Sequence, residues 1–250
     1  MIDYELNGVG AVFGLTGENN MGQATNAVTG SLTREYGYDS YGFPTSRMVR
    51  RGTTTLQNFG YNIDSATGNL NWRKDNTRNL QENFTYDNLN RLTGFGSNTI
   101  TYDIKGNITN HTAVGSFAYE NTDKPYAVTA VTPYGTAIPL REQNITYNGM
   151  QRPATIGENG YTATFTYNDA GRRLKMHLSH NGTTQLTRYY IGGQYELDSE
   201  TGMERLYLGG DAYSAPAVYV KEAGNWKIYY ICRDHLGSIT HVINADGSLK

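Results

Sequence analysis

The chain has 250 residues with a formal net charge of −2 and a sequence pI of about 6.2, so it carries no electrostatic footprint for nucleic acid. A mean hydropathy of −0.58 and the absence of any apolar run near 18 residues argue against a membrane-spanning helix. Tyr is present 21 times against 7 Phe and 2 Trp, with 29 Gly and a single Cys. That is the composition of strands joined by polar turns, and the one cysteine allows no intrachain disulfide.

Residues 1–33 are Gly- and Asn-rich and read as an irregular leader or a degenerate repeat, with Val12, Phe13 and Leu15 as its apolar patch. Met1 to Glu5 has neither a basic start nor an apolar stretch, so it is no signal peptide. From residue 34 a unit recurs. It appears as Tyr36-Gly37-Tyr38-Asp39-Ser40-Tyr41-Gly42, then Phe59-Gly60-Tyr61-Asn62, then Phe84-Thr85-Tyr86-Asp87-Asn88-Leu89-Asn90-Arg91-Leu92. Ile100-Thr101-Tyr102-Asp103-Ile104-Lys105-Gly106 follows, and after a gap come Ile145-Thr146-Tyr147-Asn148 and Phe165-Thr166-Tyr167-Asn168-Asp169-Ala170-Gly171-Arg172. In each copy an aromatic or aliphatic residue and the Tyr share one face of a period-2 strand, and an Asp or Asn opens a turn. Such a hairpin is marginal alone, and copies about 16 to 25 residues apart indicate stacked units sharing one core. The fold expected is therefore all-β, built from stacked antiparallel β-hairpin repeats that form a curled sheet.

The repeating hairpins occupy residues 34–182, with a loop insertion near 121–143 where Pro125, Pro133 and Pro139 exclude central-strand positions. Trp72 follows Leu70 at period 2 and is assigned to packing rather than to a binding platform. Tyr38, Tyr61, Tyr86, Tyr102, Tyr147 and Tyr167 are expected to pack in the core or between repeats. Gly106 and Gly171, four residues beyond their tyrosines, are expected to hold φ > 0 in the turns. Residues 183–250 carry longer, more apolar strands and stop within an unfinished hairpin, which reads as a truncated segment.

The apolar-x-Tyr-Asp-x-x-Gly-Arg-Leu unit resembles the YD repeat of Rhs and related bacterial proteins, including the shells of toxin-complex proteins. Tyr229-Tyr230-Ile231-Cys232-Arg233-Asp234-His235-Leu236-Gly237-Ser238 resembles the opening of the Rhs-associated core region. The resemblance implies a hollow shell that encloses a C-terminal toxin for delivery to competing cells, and a secreted or cell-surface location. The partners it implies are the remainder of the same shell and its toxin cargo. The competing class is a carbohydrate- or cell-surface-binding repeat module, in which exposed Tyr, Asn and Thr would contact surface glycans.

Chemistry is sparse in this pattern. Cys232, Asp234, His235 and His241 invite a nucleophile reading, but Cys232 and His235 fall on opposite faces of a strand. The five histidines lack the spacing of a zinc site, and Asp39, Asp87, Asp103 and Asp169 lack the acidic density of a calcium loop. Arg47, Arg50, Arg51, Arg172 and Arg173 read as solvated flanks of turns. No catalytic residue, metal or cofactor is expected, and the chain is expected not to be an enzyme.

Overall fold

A computed structural model describes residues 3–6, 10–136 and 142–250. It is all-β, and its strands form two open antiparallel sheets of 13 and 10 strands in which spatial order equals chain order. The first sheet comprises β1 (Asp3–Leu6), β2 (Gly10–Glu18), β3 (Ala24–Thr29), β4 (Leu32–Tyr38), β5 (Pro44–Arg51), β6 (Thr54–Ile63), β7 (Leu70–Asp75), β8 (Leu80–Tyr86), β9 (Leu92–Phe95), β10 (Asn98–Tyr102), β11 (Ile108–His111), β12 (Gly115–Ala118) and β13 (Ala130–Pro133). The second comprises β14 (Asn144–Tyr147), β15 (Pro153–Glu158), β16 (Tyr161–Tyr167), β17 (Arg173–His180), β18 (Thr183–Ile191), β19 (Tyr195–Asp198), β20 (Met203–Leu208), β21 (Ala217–Glu222), β22 (Asn225–Arg233) and β23 (Ile239–Asn244). Within the first 38 residues, strands β2, β3 and β4 cover 10–18, 24–29 and 32–38. Pro133 lies on β13, the last strand of its sheet, where a missing N–H leaves no ladder bond unmade. Pro139 lies outside the described residues.

One turn recurs along the chain. At Asp103 the backbone N–H donates to the Asn107 carbonyl at 2.9 Å, and Gly106 N–H donates back to the Asp103 carbonyl at 3.1 Å. The Asp103 carboxylate accepts the N–H groups of Lys105 and Asn107 at 2.8 and 2.9 Å. The same set recurs at Asp39, Asp87 and Asn148, and also at Asn19 and Asp234, where the sequence had shown no clear copy. A short polar side chain thus satisfies two N–H groups that the ladder cannot reach. Gly106 and Gly171 close their turns at φ of 90° and 70°.

A bulge precedes the turn. Between Thr101 and Tyr102 the register slips by one residue, and the same slip falls at Thr85/Tyr86, Thr146/Tyr147 and Thr166/Tyr167. An extra residue on one strand bends it and increases the local twist, so bulges recurring in these four copies favour a sheet that curls.

The chain divides into two compact units. The smaller comprises Gly37–Ser46 and Asn58–Leu140, with Tyr61 and Ile100 as its buried apolar residues. Trp72 there is half-buried, its ring 3.4 Å from where a side chain on Gly60 would begin. The larger comprises Met1–Tyr36, Arg47–Gln57 and Arg141–Lys250. Its core joins Val12, Leu32 and Val49 of β2, β4 and β5 to Ala217, Ile228, Tyr230, Cys232 and Ile243 of β21 to β23. Val218, Val220, Tyr229 and Ile231 point the other way and pack with Met203, Tyr207 and Val242. The near-continuous apolar run of β22 therefore reflects burial on both faces.

In the Asn148 turn the closing position is Gln151, at φ 58°. A β-carbon in that region costs about 1–2 kcal/mol, partly offset by the lower chain entropy of the unfolded state. Gln151→Gly should raise stability by about 0.5–1 kcal/mol. Urea unfolding would show this as a higher midpoint with unchanged slope, and a lower midpoint would contradict it.

Candidate functional site

The bulges at Tyr86, Tyr102 and Tyr167 aim these rings back over the preceding strand. Tyr86 donates its hydroxyl to the Leu70 carbonyl at 3.1 Å, Tyr102 to Leu92 at 2.7 Å and Tyr167 to Pro153 at 2.9 Å. All three rings are half-buried, as is Tyr38, and Tyr61 is buried. Tyr147 is 53% exposed, because β14 begins its sheet and no earlier strand of that sheet covers the ring. Beside these clamps, threonine hydroxyls pair across the strands at Thr85–Thr93, Thr101–Thr109 and Thr146–Thr155.

Arginine links one repeat to the next in the smaller unit. Arg91 pairs with the Asp87 carboxylate at 2.7 Å and lies 4.5 Å from the centre of the Tyr102 ring. The Arg91 backbone N–H, followed by its guanidinium and the Leu89 N–H, holds the Asp87 carboxyl below its ordinary value of 3.8, against a smaller opposing effect of burial. Burial acts most strongly on Asp103 and would raise its value. Hydrogen bonds from Asn107, Lys105 and Gly106 together outweigh that effect and lower it.

Cys232 is fully buried on β22 opposite His241, and burial pushes its thiol above the ordinary range, against a smaller opposing effect from Arg34. Asp234 is engaged in its own turn. Among the described residues no three His, Cys, Asp or Glu side chains converge as metal ligands.

Two features were missed in the sequence. One is an ion cluster on β18 to β20. The Asp198 carboxylate takes a two-pronged contact from Arg188 at 2.5 and 2.9 Å and a third bond from Arg205 at 2.9 Å, with Glu196 nearby. Tyr195 donates to Glu204 at 2.6 Å, and that bond is the main cause of its pKa being pushed up to about 12. The charged residues Arg188, Glu196, Asp198 and Arg205 were the available signal, hidden because their partners lie on different strands. The other is a cleft of about 420 Å³ in the larger unit, lined by Arg34, Arg47, Gln57 and Arg233 among apolar residues. Arg47 lies over the Tyr36 ring at 5.4 Å and is half-buried, so it is not the solvated turn flank expected.

No protein-family model matches the chain. No curated protein matches it either. Among solved structures, the crystal structure of TcdB2-TccC3-TEV superposes on 96% of the chain with a TM-score of 0.72 at 18% identity. The chain spans 15% of the length of that chain, and at this identity the likeness is one of fold.

Tyr102→Phe, which removes the hydroxyl bonded to Leu92 and keeps the ring, should cost about 1 kcal/mol in chemical unfolding. A loss near zero would mean the carbonyl finds water instead. The depressed Asp87 and Asp103 values give a second expectation. Their stabilisation is present above the ordinary value of 3.8 and disappears as pH falls through the lower folded values. An amide keeps the turn oxygen, as Asn148 does, without titrating. Asp87→Asn with Asp103→Asn should therefore lose less melting temperature than wild type between about pH 5 and about pH 3. Equal losses in both proteins would exclude these two carboxylates as a source of acid sensitivity.

Proposed function

We propose that the chain is a wall segment of a hollow Rhs/YD-repeat shell that encloses a C-terminal toxin for delivery to competing cells. The observation that carries the reading is the likeness to TcdB2-TccC3-TEV along 96% of the chain, joined to the YD-like repeats. A wall needs strands that pair in chain order and bend, and the chain-order pairing with recurrent bulges supports this reading. The role is structural and non-enzymatic, and its setting is secreted or at the cell surface. Its partners are the rest of the shell and the enclosed polypeptide. Glycan binding is less well supported, because the hydroxyls of Tyr86, Tyr102 and Tyr167 are spent on backbone carbonyls.

The test is to express the complete polypeptide from its native gene and image it by cryo-electron microscopy, with limited proteolysis alongside. The expected result is a hollow β-shell whose C-terminal region resists protease until denaturant opens the wall. A solid particle, or a C-terminal region cleaved as fast as when it is made alone, would overturn the proposal.

A further inference from the structure

Arg34 sits on β4 two residues after Leu32, at a position the strand alternation assigns to the core, and is 6% exposed. Its Nε donates to the Thr29 hydroxyl at 2.7 Å and its Nη2 to the Ile231 carbonyl at 3.0 Å. Arg233 stands immediately before Asp234, where the copies at Asp39, Asp87, Asp103 and Asn148 carry a tyrosine, and a bulge falls at Cys232/Arg233 as it does before Tyr102. It donates to the carbonyls of Gly237, Ala212 and Ala215 at 2.8, 2.9 and 3.5 Å, while its Nε is buried with no acceptor. Among the described residues neither guanidinium forms an ion pair.

Both arginines line the same cleft. Guanidinium carries five donors, and a buried cation that meets only neutral oxygens is costly to keep. The chain shows the ordinary remedy elsewhere, where Asp198 and Glu196 neutralise Arg188 and Arg205. Here the remedy is withheld. Glu18 lines the cleft but is exposed, and Asp211 acts on Arg233 through its charge without reaching it as an ion pair. Burial is the main cause of a lowered Arg233 pKa, and the charge of Asp211 offsets it only in part. Arg47 adds a third cation, and Phe13, Leu15, Met48, Val49 and Pro216 form apolar walls.

We propose that this cleft is a receptor for a carboxylate carried on an apolar body, with Arg34 and Arg233 as the groups that bind the anion. Apolar walls disfavour a fully hydrated anion such as phosphate, whereas a carboxylate fits a guanidinium fork and leaves its hydrocarbon part against the walls. The carboxylate comes from a free organic acid or from the terminus of an apolar peptide, and the two are separable by experiment.

The 250-residue chain would be titrated by calorimetry with 3-phenylpropionate and with acetyl-Gly-Gly-Phe bearing a free carboxylate, each beside its neutral amide. At least one acid is expected to bind saturably and to raise the melting temperature, and its amide to bind at least tenfold more weakly. Tighter binding of the peptide identifies a peptide terminus as the occupant, and tighter binding of phenylpropionate a free acid. Arg233→Gln should weaken binding at least tenfold while keeping the wild-type circular dichroism. Arg34→Gln should do the same, and if it fails to fold, Arg47→Gln and Arg233→Gln carry the comparison. Absence of saturable binding of either acid up to about 10 mM, equal binding of acid and amide, or undiminished binding by folded Arg233→Gln would overturn the proposal.

Discussion

The structure depends on one recurrent economy at its hairpin ends, a single side-chain oxygen that accepts two backbone N–H groups. In the copies at Asp39, Asp87, Asp103, Asn148 and Asp234 that oxygen fixes the loop length, because it reaches the second and fourth residues beyond it. Loop length fixes the register of the returning strand, and register decides which side chains face inward. The tyrosine just before the turn inherits its position from that choice. So does the arginine of the Asp87 copy, which touches both its own turn and the tyrosine of the next repeat.

Strand content, the antiparallel repeat and the positive φ at Gly106 and Gly171 were legible because each rests on local chemistry: period-2 alternation, an Asx opening and a glycine at a fixed offset. The Asn19 turn was harder to see because Glu18 replaces the marker tyrosine, although Asn19 and Gly22 keep the spacing. The bulges were invisible, since a slip of one residue leaves no composition signal of its own. Tyr147 shows the same limit. It is identical in motif to Tyr167, and only its place on the first strand of a sheet leaves it exposed. Arg34 and Arg233 lie far apart in sequence, so no local pattern joins them, and their common cleft emerges only when β4 meets the end of β22.

The larger unit treats arginine in two ways. Around Asp198 the guanidinium groups are neutralised at close range and brace three neighbouring strands. Around Arg34 the cation is held by a hydroxyl and a peptide carbonyl, which fix its direction without cancelling its charge. The first arrangement suits a brace. The second leaves an unneutralised cation at the wall of a cleft.

The strand order has a consequence for the life of the protein before it is complete. Neighbouring strands pair as soon as both have left the ribosome, so each hairpin closes early and locally. The core of the larger unit obeys a different clock. Arg34 and Ile231 are 197 residues apart, and Val12, Leu32 and Val49 meet their partners only when β21 to β23 are made. At ordinary synthesis rates that interval is roughly 10 to 40 seconds. Throughout it the apolar face of β2 to β5 lies uncovered, so a newly made chain needs shelter on one known face and for a definite time.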